Sequence, residues 1–64
     1  MTKPKQKFIV KECMVDDFGT VDVLGEYETY AKTAAQAENQ VRYRRGYKTK
    51  VTEYGSKAIV FRAY

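Results

Sequence analysis

The sequence contains no histidine and no tryptophan, a single cysteine and a single proline. Without an imidazole, Ser-His-Asp and Cys-His mechanisms lack their base. The usual mixed ligand sets of a structural zinc are missing as well. A lone Cys13 closes no intrachain disulfide. Disulfides and metals, the two staples of natural mini-proteins, are therefore both out of reach. The longest apolar run is residues 58–61, AIVF, far short of the roughly 20 residues that a membrane-spanning helix needs. With 64 residues there is room for one domain and one small core. A two-domain enzyme is excluded, and about 60% of the unfolded surface is the most such a chain buries. The single thiol, and a basic N-terminus MTKPKQK with no signal-type apolar segment after it, lead us to expect a reducing cytoplasm. Cys13 is then expected to be a small buried hydrophobe.

What is present is a globular composition, 44% hydrophobic with six tyrosines and three phenylalanines. The net charge of +4 conceals a pattern. Residues 1–11 carry +4, residues 12–38 carry −6, and residues 39–64 carry +6. The chain is a dipole along its length, and its function has to accommodate both poles.

Residues 1–6 read as a flexible basic arm, because Pro4 and the scattered lysines offer nothing to bury. The domain is expected over residues 7–64. Residues 7–15, KFIVKECMV, read as a strand, followed by a turn at Asp16-Asp17-Phe18-Gly19-Thr20. A long period-two alternation follows. Val21, Val23, Gly25, Tyr27, Thr29 and Ala31 share one parity, while Asp22, Leu24, Glu26, Glu28, Tyr30 and Lys32 share the other. This predicts a half-buried strand with an acidic outer face and a bulge or bend at Gly25. Thr33 and Gln36 form a capping box for a helix ending near Arg45, with Gly46 as its left-handed C′ residue. At 100° per residue Ala34, Ala37 and Val41 make a narrow core stripe, and Arg42 and Tyr43 point away from it. Residues 47–54 and 57–64 read as two more strands. A three-residue loop between them places Val51 on the same face as Ile59, Phe61 and Ala63. The order β-β-α-β-β predicts a small α+β domain with one helix on one face of an antiparallel sheet.

Three groups of residues carry possible chemistry. The first is basic and aromatic: Arg42, Tyr43, Arg44, Arg45, Lys48 and Lys50. Cations displace phosphate counterions and flat rings stack on bases, so this set is a candidate nucleic-acid surface. The plain alternative is that these cations cap the helix dipole and pair across strands with Glu26 and Glu28. The second is the acidic strand face, Asp22, Glu26 and Glu28, with Asp16 and Asp17 nearby. It suits a basic partner protein, or merely solvates the strand; no calcium-loop spacing is present. The third is the tyrosines, of which Tyr27 is expected to fill the core and Tyr43 to lie on a binding surface.

The passage Tyr30-Ala31-Lys32-Thr33-Ala34-Ala35-Gln36-Ala37 resembles one found in short accessory proteins of bacteriophages and mobile elements, including small inhibitors of bacterial RNA polymerase. In these, an extended Y-A-x-T leads into a capped helix. The chain differs from them in a basic rather than acidic helix end and in an extra C-terminal strand, so no binding residue is carried over. The resemblance implies a compact, non-enzymatic protein, phage- or plasmid-encoded, that binds a host macromolecule.

Together these features predict a nucleic-acid-binding protein with no cofactor and no metal. The alternative is an inhibitor or adaptor that binds a host protein through its acidic strand face or an exposed sheet edge. A homodimer joined through edge strands is a further expectation.

Overall fold

The computed structural model describes residues 4–64. It contains, in order, β1 (Gln6–Val15), β2 (Val21–Ala31), α1 (Ala34–Arg44), β3 (Thr52–Tyr54) and β4 (Lys57–Ala63). This is the expected small α+β domain. The strands form one antiparallel sheet in the order β2-β1-β4-β3. β1 and β4, the strands richest in buried positions, sit in the middle. The edges fall to β2 and to the short β3. The expected arm over residues 1–6 lies partly outside the described residues, and β1 already begins at Gln6.

The turns follow from their side chains. Asp16 Oδ1 accepts from the amides of Phe18 and Thr20 at 3.0 and 2.9 Å, and Gly19 takes the positive φ of 82° that closes the β1–β2 hairpin. Thr33 caps α1 by accepting from the Gln36 amide at 3.2 Å. The Gln36 side chain reaches back to the Lys32 amide, one residue before the position that a standard capping box uses. At the other end Gly46, with φ of 89°, sets up a Schellman closure. Tyr47 N donates to Arg42 O, and Gly46 N to Tyr43 O.

The helix packs through Ala37 and Val41 onto Val10, Ala31, Ile59 and Phe61. Ala residues at the contact let the helix lie close to the sheet. Phe8, Met14, Tyr27, Tyr47 and Ala63 complete the core at its margins, so Tyr27 fills the core as expected. Ala34, assigned to the core stripe from its angle, is exposed in the first turn. Arg42, expected on the outer side, is only 6% exposed. Its guanidinium lies inward because two acceptors wait there, as described below.

Two strand expectations are corrected. Residues 47–51 are not strand. They are held by the Schellman closure, by a bond from Arg42 to Lys48 O, and by one from Thr49 Oγ1 to Val51 O. The β3–β4 hairpin turns through two residues, Gly55-Ser56, since Tyr54 pairs with Lys57 and Thr52 with Ile59. Val51 is therefore displaced from the core face and exposed. Ile59 and Phe61 face the helix regardless, because pairing with β1 fixes the parity of β4.

The register of β1 against β2 slips by one residue at Gly25. Glu12 pairs with Gly25 and Cys13 with Val23, which leaves Leu24 as the extra residue of a bulge. Beyond this bulge the parity of β2 inverts. Tyr27, Thr29 and Ala31 face the helix. Val21 and Val23, of the same sequence parity, lie on the opposite face with Cys13 and Val15. The Tyr27 ring folds back over Gly25, and a Cβ at Gly25 would meet the Tyr27 hydroxyl at 3.1 Å.

Two substitutions test this packing by urea denaturation. Val41→Ala is expected to cost about 2 kcal/mol, since it opens a cavity under a fully buried side chain. Gly46→Ala is expected to cost about 1 kcal/mol through backbone strain alone, because nothing crowds that position.

Candidate nucleic-acid interface

Arg42 organises the end of the helix. Its Nη1 donates to Lys48 O at 2.9 Å and its Nη2 to Asn39 Oδ1 at 3.1 Å. Its guanidinium carbon lies 4.7 Å from the centroid of the Tyr43 ring. It also lines a small cleft of about 90 Å³ with Ala35, Glu38, Asn39, Lys50 and Phe61. Arg42 thus stacks beside the neighbouring Tyr43, ties down the backbone at Lys48 and borders the same cleft as Lys50. These three neighbours are exposed, as is Arg44 at the last helical position. No carboxylate lies within ion-pair distance of Arg42, Arg44, Lys48 or Lys50 among the described residues. Glu38, the one acid lining this cleft, uses Oε2 to accept from the Ala63 amide at 3.0 Å.

Arg45 belongs to a different group. Its Nε donates to Glu12 Oε1 at 2.9 Å, and its guanidinium carbon lies 5.5 Å from the centroid of the Tyr27 ring. Glu12 is 4% exposed on the helix-facing side of a central strand. A buried carboxylate there demands a partner, and Arg45 supplies it from just beyond α1. The Glu12 carboxylate in turn raises the Arg45 pKa, first through the hydrogen bond and then through its charge. This pair pins the end of the helix to the sheet. Its importance escaped the sequence reading. The clue was parity, because Glu12 alternates with Phe8, Val10 and Met14 in an otherwise apolar register.

The acidic candidates do not form one surface. Glu26 pairs with Lys11 at 3.8 Å and Glu28 with Lys7 at 3.2 Å on the open face of the sheet. Asp22 sits past the bulge on the helix side, opposite Met14. The alternative pairing of Lys48 and Lys50 with Glu26 and Glu28 does not occur, since β2 and β3 are opposite edges. Cys13 is buried and free. Among the described residues no cluster of acids and thiols is arranged to hold a metal, and no helix is long and apolar enough to cross a membrane.

Comparison with known protein families, curated proteins and solved structures finds no match.

Two outcomes are expected. In thermal melts Arg45→Met lowers the midpoint, and the double variant Glu12→Leu/Arg45→Met recovers most of the loss, because the single change strands a buried carboxylate. The second concerns Tyr47. Burial raises its pKa above the ordinary 10.0, with the Glu12 charge adding to the effect. The folded state favours the neutral phenol, so this stabilisation is complete below pH 10.0 and is lost as the pH rises through the raised value. Melts across this range should show an alkaline loss of stability that Tyr47→Phe reduces.

Proposed function

We propose that this chain is a non-enzymatic protein that binds nucleic acid through its phosphate backbone, using Tyr43, Arg44, Lys48 and Lys50 around the buried Arg42. One observation carries the proposal. The described ion pairs join Glu28, Glu26 and Glu12 to Lys7, Lys11 and Arg45, and none reaches the cations at the end of α1 and in residues 48–50. An uncompensated basic surface attracts a polyanion, and the dipole of α1 does nothing to supply the missing negative charge beyond its last turn. Arg42 contributes charge from below the surface rather than contact. Arg45 contributes structure. Tyr43, 63% exposed beside a guanidinium, offers a ring for an unpaired base. Backbone contacts of this kind give affinity and little sequence preference.

The second reading, a protein-binding adaptor using Asp22, Glu26 and Glu28, is less well supported, because two of the three carboxylates are already paired and the third lies on the other face.

The test is a titration with a short duplex and a single strand over a range of salt. Binding is expected at about 50 mM salt, with a log–log slope of about −3 for three to four phosphate contacts. Lys48→Glu and Lys50→Glu each should flatten the slope by about one. Tyr43→Ala should weaken the single strand more than the duplex, by up to about 1–3 kcal/mol. Absence of binding at low salt, or a slope unmoved by both lysine reversals, sinks the proposal.

A further inference from the structure

Among the described residues no element covers the face of the sheet away from α1, and its side chains fall into ordered rows. One row runs Val23, Cys13, Val60, and Val51 lies one residue beyond the last β3 pairing at its end. The next row runs Val21, Val15, Ala58, Glu53. Leu24, expelled by the bulge, flanks the first. Val21, Val23, Leu24 and Val51 are each close to half exposed. Toward the other end the rows become polar: Glu26, Lys11, Arg62, then Glu28, Ile9, Tyr64. A contiguous apolar patch of this kind on so small a domain marks an interaction surface.

We propose that a second copy of this chain stacks on this face, sheet against sheet, with its strands running in the opposite direction. Charge selects both the partner and its direction. The hairpin end of the face is bordered by Asp16, Asp17 and Glu53 with Lys57. The polar end carries Arg62, which has no carboxylate partner among the described residues, beside Lys11 and Lys7, which are already paired. A two-fold axis along the rows lays the apolar rows of the two copies together. It also sets Arg62 of each copy against the acidic hairpin end of the other. Edge-to-edge joining through β2 has the opposite electrostatics. That strand contains Asp22, Glu26 and Glu28 and no base, so pairing it with itself opposes like charges. With the apolar rows superposed, the overlap takes in those two rows and the flanking hairpin end and Arg62 row, about 19 by 20 Å or roughly 400 Å² per copy, which is the size of a weak, transient contact. The basic surface around Arg42 remains outside the contact, on the helix side.

Sedimentation equilibrium of the full chain, without nucleic acid, tests this. A weak dimer with a Kd of about 100 μM is expected. Val23→Asp and Val60→Asp should each weaken it about tenfold or more, while circular dichroism confirms that they fold. Arg62→Glu should weaken the dimer too, and adding Asp17→Arg and Glu53→Arg to it should restore association. That rescue depends on the antiparallel arrangement. A chain that stays monomeric to about 1 mM overturns the proposal. So does a dimer that survives both valine substitutions, since it would be joined elsewhere, such as through an edge. Salt titrations with nucleic acid read a different surface, so failure here leaves the proposed function standing, and the reverse.

Discussion

The helix is too short for the sheet. Eleven residues of α helix extend about 16 Å, whereas the ten residues of β1 extend about 33 Å. One end of the sheet is consequently covered and the other projects, in keeping with a molecule 44 Å long and 20 by 16 Å across. Most other features follow from this mismatch. The core lies where Ala37 and Val41 reach the sheet, and it holds few large side chains. The polypeptide after the helix extends the cover: Tyr47 packs against Phe61 with the rings tilted and their centroids 5.6 Å apart, and Arg45 descends to Glu12. Residues 47–51 are committed to that task, and this is why they do not join β3. The Schellman closure and the Arg42–Lys48 bond take up backbone groups that a strand would have offered to β4.

The bulge at Leu24 and Gly25 separates β2 into two functional halves. On the C-terminal side of the bulge, the strand presents Tyr27, Thr29 and Ala31 to the helix and Glu26 and Glu28 to the lysines of β1. On the other side the alternation inverts, and two valines emerge on the uncovered face. A regular strand would have placed Val21 and Val23 on the helix side, where the helix does not extend, and set Asp22 and Leu24 beside Cys13 and Val15 on the open face. The glycine makes the inversion tolerable, because the Tyr27 ring occupies the space that its Cβ would need. The same bulge also twists the free edge of β2, a known protection against pairing by another strand. One local irregularity thus discourages association at the edge and assembles an apolar patch on the face.

Much of this was legible in the residues. The order of elements, the Thr33 cap, the Gly46 closure, the hairpin turn at Gly19 and the bulge at Gly25 are local chemistry, and local chemistry is written in neighbouring residues. Strand order and side-chain depth are not local. Nothing in the alternation of β2 says whether its carboxylates meet Lys7 and Lys11 or Lys48 and Lys50; pairing with β1 decides that. Nothing in the helical angle of Arg42 says that Asn39 and Lys48 O wait on its inner side. Long cationic side chains reach several ångströms from their Cα and defeat angle-based placement. Val51 failed for a related reason. Its parity was inferred from a better-looking core, whereas the two-residue turn at Gly55 fixed the register independently. Glu12 was legible in principle, since a charge in an apolar register signals either an error of parity or a buried pair.

Strand order also settles what the chain's dipolar charge pattern means in three dimensions. With β1 beside β2, lysines from the basic start of the chain pair with Glu26 and Glu28, and of the basic end only Arg45 finds a carboxylate among the described residues. Had β3 taken the place of β1, residues 48 and 50 would have been spent on Glu26 and Glu28, and the surface around Arg42 would carry little field. The order adopted instead puts an uncompensated basic surface on the helix side and an apolar face behind it. These two surfaces do not compete for space. A face-to-face pair would carry two basic surfaces on its outer sides, held in fixed relation. On a polyanion, where each contact is weak and lost with salt, a second site bound to the first raises the effective concentration for the next contact. Self-association through the open face would therefore strengthen binding at the helix side without adding any residue to it.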